Sequence, residues 1–541
     1  MHLVERLWAS VTSIISIGSL SPLQNGFDPQ SPLKLPSDSP SVITSALTSE
    51  INTAFVPKVG IASGPSFHPP GSPSDDGFEC DYSAMVGWEK CSTPTDRECW
   101  LRRKSDGKQF DIFTDYENEA PVGVTRYYNL TLEPGKYDAD GLEFNAAKLF
   151  NGSYPGPWIE ACWGDTLVVN VTNKLAHNGT SIHWHGIRQN QTMHMDGVNG
   201  VTQCPIAPQD YFVYKFNITQ YGSSWYHSHY SVQYADGAVG PMTLHGPTSA
   251  EYDEAISPPL IMTDWGHSSA FVALYKRLQD KDILLNGHGS IVNFNNTAQN
   301  TSVIQAPYHI TFQPPQEGKR VKKYLLRIIN TSFDTTFIFS IDNHRLQMVS
   351  TDFVPIHPYS NTSVLVGIGQ RYNVIVEALP LAYGKDGQLP IDGNYWIRTW
   401  ASPCNGNQGG SPGYEKTGIL RYNQSSIANP STGSWKNVST TCSDEEFYKL
   451  HPILPWKVGN PVNSVNNDNF DLWVNGSVVP KAYPLAAWTL TADTHADFTP
   501  MRVNYSEPTF LHLDQKGEWD KQWRIVPEDY TSKDWVSTYG L

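Results

Sequence analysis

The chain has no run of eighteen consecutive apolar residues, so it predicts no transmembrane helix. It is also poor in charge. Asp, Glu, Lys and Arg make up 17% of 541 residues, and the formal balance is −15. With no basic excess there is no stripe to neutralise phosphates, which excludes nucleic acid as a partner. An acidic balance places no limit on a small neutral substrate. Cysteine is scarce at seven, an odd number that leaves one thiol over if the rest pair. Between residues 21 and 79 periodicity is missing. SPLQNGFDPQSPLKLPSDSPS and ASGPSFHPPGSPSDDG are rich in Ser and Pro and cannot bury enough surface to order themselves, so they read as a propeptide or linker.

What is abundant is aromatic: 12% of the chain, with 17 Trp and 27 Tyr. That composition suits β-sandwiches with buried rings better than helical bundles. The length exceeds one hydrophobic core and predicts about three or four domains. Residues 1–20 read as a secretory signal, with Arg6 near the start, an apolar stretch from Leu7 to Ile17 and small residues after it. About fourteen Asn-x-Ser/Thr sequons, among them Asn129, Asn151, Asn170, Asn178, Asn217, Asn330, Asn361 and Asn475, predict a glycosylated, secreted protein. Among the cysteines, Cys91 and Cys99 are close enough for a small loop. Cys404 and Cys442 flank a Gly/Ser/Asn-rich stretch. Cys80 and Cys162 are expected to pair across the first domain, which leaves Cys204.

The chemistry concentrates between Ser181 and Met242. Two His-x-His pairs, His183/His185 and His227/His229, each stand beside a Trp. Side chains alternate along a β-strand, so each pair presents two imidazoles from one face of one strand. Two such strands side by side offer four nitrogen ligands to a small volume. Imidazole suits Zn, Cu, Fe and Ni. Four histidines exceed the three ligands of a typical single catalytic zinc, which favours more than one metal. A lone His-x-His is more often a surface or hydrogen-bonded pair; two pairs this close favour the metal. Trp184 and Trp225 read as packing residues, and Gly186 and Gly237 as sites of turns or close backbone approach. His177, His194, His245 and His267 have no partner at ligand spacing and read as surface or core residues.

Short strands with turn signals recur along the chain, as in TRYYNLTLEP and NGSYPGPWIEACWGDTLVVNVTN, then YLLRIINTSFDTTFIFSIDNHRLQMVSTDFVPI. HWHGIRQ, DGVNGVTQCPI and WYHSHYSVQYADGAVGPM closely resemble the first two copper-binding segments of the multicopper oxidases, in the ascomycete laccase branch. CDYSAMVGWEKCSTPTDRECWL, GIGQRYNVIVEA and FDLWVNGSVVP are similar to later landmarks of the same family. The resemblance implies an all-β fold of tandem cupredoxin-like Greek-key β-sandwich domains, the third incomplete. Residues 80–248 form the first, which binds copper. Residues 249–425 form the second, a bridge without copper, and 426–541 a partial third.

The resemblance implies that His183 binds the mononuclear copper of a trinuclear cluster, and that His185, His227 and His229 bind the coupled copper pair. It implies that Asp196 assists proton delivery; an ordinary turn Asp before Gly is the competing reading. In the family the cysteine of the QCPI segment, Cys204 here, bonds to the far C-terminus; that partner is missing from this sequence, so Cys204 is expected to be unpaired. The family's His-Pro-x-His-Leu-His-Gly-His and His-Cys-His segments do not occur, and His512 stands alone as a strand residue. Half of the cluster ligands, and those of the electron-entry copper, are therefore expected to be missing, so the chain as it stands is expected to be inactive. The implied activity is one-electron oxidation of small phenolic or aromatic molecules coupled to reduction of O2 to water, by a secreted monomer. The run after Asp264 is poor in the acids that family members often place near the substrate. Two alternatives stay open: a catalytically silent secreted cupredoxin-like protein, and a related ascorbate or metal-ion oxidase.

Overall fold

The computed structural model describes residues 63–70, 77–276, 281–289, 307–381, 390–403 and 415–456, the last with short breaks. Beyond them it describes Pro508 and a hairpin over Leu472–Val474 and Ser477–Val479. The expected signal segment, most of the Ser/Pro-rich stretch, Cys404, His512 and most of the expected third unit lie outside the described residues.

Eight strands build the first sandwich: β1 Thr125–Asp138, β2 Glu143–Phe150, β3 Ile159–Cys162, β4 Thr166–Asn173, β5 Ile182–Trp184, β6 Tyr211–Asn217, β7 Gly222–Ser228 and β8 Val239–His245. One sheet runs β5-β7-β8-β3 and the other β6-β4-β1-β2. Most neighbours are antiparallel, but β3 runs parallel to β8 and β1 parallel to β4. Neighbours that are not consecutive in the chain mark connections that cross between the sheets, the Greek-key habit. Alternation decides what each strand buries. In β4 Leu167, Val169 and Val171 point inward, and in β6 Tyr214 and Phe216 do so. From the facing sheet come Ile182, Trp184, Tyr226, Met242 and Leu244. Burying each such side chain is worth about 1.5–3 kcal/mol.

The second sandwich uses β9 Leu260–Gly266, β10 Lys281–Leu285, β11 Tyr308–Thr311, β12 Lys323–Asn330, β13 Phe337–Ile341, β14 Leu346–Thr351, β15 Val354–Asn361, β16 Ser363–Val366, β17 Arg371–Glu377, β18 Asn394–Ala401 and β19 Lys416–Arg421. Its sheets run β10-β9-β12-β17-β14-β15 and β11-β19-β18-β13-β16. Leu326, Ile328, Tyr372 and Val374 meet Phe337, Phe339, Val364 and Ile397 in its core.

The two sandwiches are joined by the faces that alternation leaves over. Trp225 and Val239 from the first pack with Ile261, Trp265 and Ile329 from the second. On β17, Tyr372 and Val374 enter the core, so Arg371 and Asn373 point at the first sandwich. There Ser223 donates to the Asn373 side-chain oxygen at 2.5 Å, and Arg371 Nε donates to the Ser223 carbonyl at 2.9 Å.

Disulfides join Cys80 to Cys162 and Cys91 to Cys99, as expected from the sequence. Cys442 is also bridged. Cys204 is free and exposed. No helix among the described residues is long and apolar enough to cross a membrane.

Candidate metal centre

Strand register brings the two His-x-His pairs together. In the antiparallel pair β5/β7, His183 stands directly opposite His227. The backbone ladder continues past both strand ends: His185 N donates to the Trp225 carbonyl at 3.1 Å and His229 N to the Ser181 carbonyl at 3.0 Å. Trp184 and Tyr226 occupy the alternate positions and fill the core, so the histidines must face the other way. Ring centroids of His183 lie 5.6 Å from His185, 5.3 Å from His227 and 5.5 Å from His229. One ring nitrogen each from His183, His185 and His227 falls within 4.8 Å of the others. His229 lies outside this tight trio, exposed at its rim.

The hydrogen bonds assign the tautomers. His183 Nδ1 lies 2.8 Å from the backbone carbonyl of Asp196, and His227 Nδ1 lies 2.9 Å from that of Ser228. A carbonyl only accepts, so both Nδ1 atoms carry protons, and in the neutral rings both Nε2 atoms keep their lone pairs. His185 instead turns Nδ1 toward His227 Nε2, 3.3 Å away. Two lone pairs do not face each other at that distance without a proton or a cation between them. Nitrogens bound at ~2.0–2.1 Å to one tetrahedral ion stand about 3.3–3.4 Å apart, so the spacing fits two ligands of one ion.

Burial favours the neutral form of His185 and His227, the form that binds metal. It holds His185 well below the ordinary imidazole value, helped by the Arg371 charge and by His183 and His229. Burial also holds His227 well down, with His183 and His185 adding to the effect.

The surroundings fix the rings. Trp225 stacks on His227 at 4.2 Å and on His185 at 4.8 Å. Trp184 and Trp225 are therefore both packing residues, on opposite faces of the sheet. Gly186 has φ +78° and Gly237 φ +110°, which places both in the left-handed region. Asp196 reaches His183 twice, through its carbonyl and through a carboxylate oxygen 3.4 Å from Nδ1.

Two of the remaining histidines are engaged elsewhere. His245 is buried against Glu160 at 2.9 Å, and His267 meets Asp140 at 2.6 Å. Asp264 is buried, and its carboxylate accepts from Phe333 N at 2.9 Å, Asp334 N at 3.0 Å and Thr335 Oγ1 at 2.8 Å. It holds the β12–β13 connection in place and has little left to offer a substrate.

Sequence reasoning missed the wall that the second sandwich builds behind the site. Arg371, 3% exposed, and Gly369 stand against Gly186 and His185. The signal for Arg371 was the alternation of β17, which sends it out of its own core.

Two models described as multicopper oxidase match the chain, over residues 131–249 and 257–425. A laccase of Arthroderma benhamiae is 40% identical over 85% of this chain and 70% of its own length. Laccase-2 of Botryotinia fuckeliana is 43% identical over 68% of this chain and 60% of its own. The crystal structure of a Botrytis aclada laccase superposes with a TM-score of 0.58 at 41% identity, over 68% of this chain and 64% of that one. On these likenesses, and with imidazoles set at ligand spacing, the chain belongs to the multicopper oxidase family, in its laccase-type branch.

Proposed function

We propose that His183, His185, His227 and His229 hold copper in a laccase-type oxidase that takes single electrons from small phenolic or related aromatic molecules and reduces O2 to water. The observation that carries this reading is the convergence of three imidazole nitrogens within 4.8 Å on two adjacent strands. In it, His183 serves the mononuclear copper of a trinuclear cluster, and the other three serve the coupled pair. Copper, when bound, supplies the one-electron chemistry that lets four single oxidations be matched to one four-electron reduction.

The chain's own groups do the rest. The Asp196 and Ser228 carbonyls point the Nε2 lone pairs of His183 and His227 into the site. Trp225 covers one face of His185 and His227 and keeps water from it. The Asp196 carboxylate, beside His183 Nδ1, is the candidate proton relay for the four protons the reduction consumes. These four histidines are half of an eight-histidine set, and turnover requires the whole set together with an entry-site thiolate.

The substrate and O2 are the only partners in this reading, and the protein acts as a monomer. Secretion is supported by the bridged Cys80–Cys162 and Cys91–Cys99 pairs, which persist in oxidising compartments, and by exposed sequons at Asn129, Asn151, Asn178 and Asn217. The test is oxygen uptake by the copper-loaded protein with a phenol, with ascorbate and with ferrous ion in parallel. Phenol-dependent uptake supports the laccase reading. Uptake with ascorbate or ferrous ion alone moves the protein to a related oxidase. Copper bound without any uptake supports a silent copper-binding protein.

A further inference from the structure

We propose that the second sandwich, although it supplies no histidine to the site, positions the copper ligand His185 through the turn Gly367–Arg371. The inference rests on the reading of His185 as a ligand and extends it to residues outside the copper-binding motifs.

His185 has two edges. Nδ1 faces His227 at 3.3 Å. The opposite edge meets Gly369: a Cβ built there would lie 2.8 Å from both Cε1 and Nε2 of His185. Such contacts are closer than real Cβ atoms show, so only a glycine lets the turn approach the ring. Gly369 also has φ +78°, which a side chain would strain. With Trp225 stacked on one face and Gly369 at the far edge, the ring has little room to swing away from His227.

The turn is itself held rigidly. Gly369 N donates to the Asn330 carbonyl at 2.9 Å, and Gln370 N to the Gly367 carbonyl at 3.0 Å. The Gln370 side-chain oxygen accepts from Gly367 N at 2.8 Å. Asn330, fully buried, ties its amide to the carbonyls of Thr335 at 3.0 Å and Val366 at 2.9 Å.

Arg371 fastens this turn to the ligand strand. Its Nε bonds the Ser223 carbonyl on β7, and its Nη1 pairs with Asp352 at 2.8 Å. Its buried Nη2 has no hydrogen-bond partner among the described residues and lies 2.7 Å from where a Cβ would stand on Gly186, the residue after His185. A β-carbon at either glycine would collide with this assembly. The copper site is thus a product of the interface between sandwiches, with ligands from one and their placement from the other. Supporting groups of this kind orient metal ligands and typically change affinity by about 10–100-fold when removed.

The test is a copper titration of the metal-free full chain against a competing chelator, with ring-nitrogen NMR of 15N-histidine-labelled, metal-free protein. Three variants are compared: Gly369→Ala, Arg371→Lys and Gly318→Ala. Gly318 has φ +74° with nothing within 4 Å of its Cβ position, so it reproduces the backbone strain without the ring contact. The expected result is copper affinity at least about 10-fold weaker in Gly369→Ala, several-fold weaker in Arg371→Lys and unchanged in Gly318→Ala. The His185 resonances are expected to shift in Gly369→Ala before any metal is added. Wild-type affinity together with wild-type His185 resonances in Gly369→Ala overturns the proposal; if that variant does not fold, the same result in Arg371→Lys does. If the unaltered protein binds no copper, the ligand reading fails, and the metal-free resonances alone decide the positioning proposal.

Discussion

His183 and His227 face each other across an antiparallel strand pair, and each donates its Nδ1 proton to a backbone carbonyl, of Asp196 and of Ser228. Register sets where the two imidazoles stand, and the main chain sets which nitrogen is left to bind.

The histidines are not equivalent. His227 is buried and shares the 3.3 Å contact with His185, whereas His229 is exposed at the rim. Replacing His227 by Gln is expected to weaken copper binding by about 100-fold or more, and replacing His229 to weaken it less. Equilibrium titration against a chelator measures both. Equal losses at the two positions would speak against the geometry of the trio.

Stability is expected to fall on acidification because of two buried neutral histidines away from the metal centre. Burial pushes His245 and His344 down to about 4. In the unfolded chain each titrates near ~6.5. Below that value the unfolded state takes up a proton that the folded state refuses. The stability each neutral ring contributes is therefore complete above about pH 6.5 and is lost as pH falls toward 4. For His344, held between the Asp342 carbonyl and the Tyr422 hydroxyl at 2.8 Å each, the loss is on the order of 3 kcal/mol. Denaturant melts of the protein and of His344→Asn at pH 7, 5 and 4 measure it. The variant is expected to be less stable at pH 7 but to show a shallower decline.

The Cys80–Cys162 bridge ties the N-terminal lobe, residues 77–124 ahead of β1, to β3 over a separation of 82 residues. Its removal in the Cys80→Ser/Cys162→Ser double variant is expected to cost about 2–5 kcal/mol, read as a lower melting temperature. The lobe also holds on through Trp100 Nε1, which donates to Tyr82 Oη at 2.7 Å, and Tyr82 Oη, which donates to the Trp163 carbonyl at 2.8 Å. Copper binding, on another edge of the sheet, is expected to persist.

Not every sequon can carry a glycan in the folded protein. Asn330 is fully buried and its amide is engaged twice, whereas Asn129, Asn151, Asn178 and Asn217 are exposed. Glycopeptide mapping of protein secreted from a eukaryotic host is expected to find sugar among the four exposed sites and none at Asn330.

These contrasts mark how far sequence reaches. The His-x-His spacing and strand alternation are local patterns, so the four imidazoles on one face, the inward Trp184 and the all-β sandwiches are legible in the sequence. The Cys80–Cys162 and Cys91–Cys99 pairs were legible too. Burial of the Asn330 sequon was not, because it depends on how β12 sits beside the Gly367–Arg371 turn. Nor was the orientation of His183 by a main-chain carbonyl, since no side-chain identity encodes it. The wall of Gly369 and Arg371 stands far along the chain from His185 and meets it only when two sandwiches pack. Asp196 shows the limit from the other side: DGVNG reads equally as a turn and as a relay, and only three-dimensional placement brings its carboxylate to 3.4 Å from His183 Nδ1.

The most direct test of the account is electron paramagnetic resonance of the metal-free full chain titrated with cupric ion, with and without the combined substitutions His183→Gln, His185→Gln, His227→Gln and His229→Gln. Bound copper with nitrogen hyperfine structure from imidazoles is expected, abolished when the four residues are replaced. Copper binding that survives their replacement, or no binding by the unaltered chain, would contradict it.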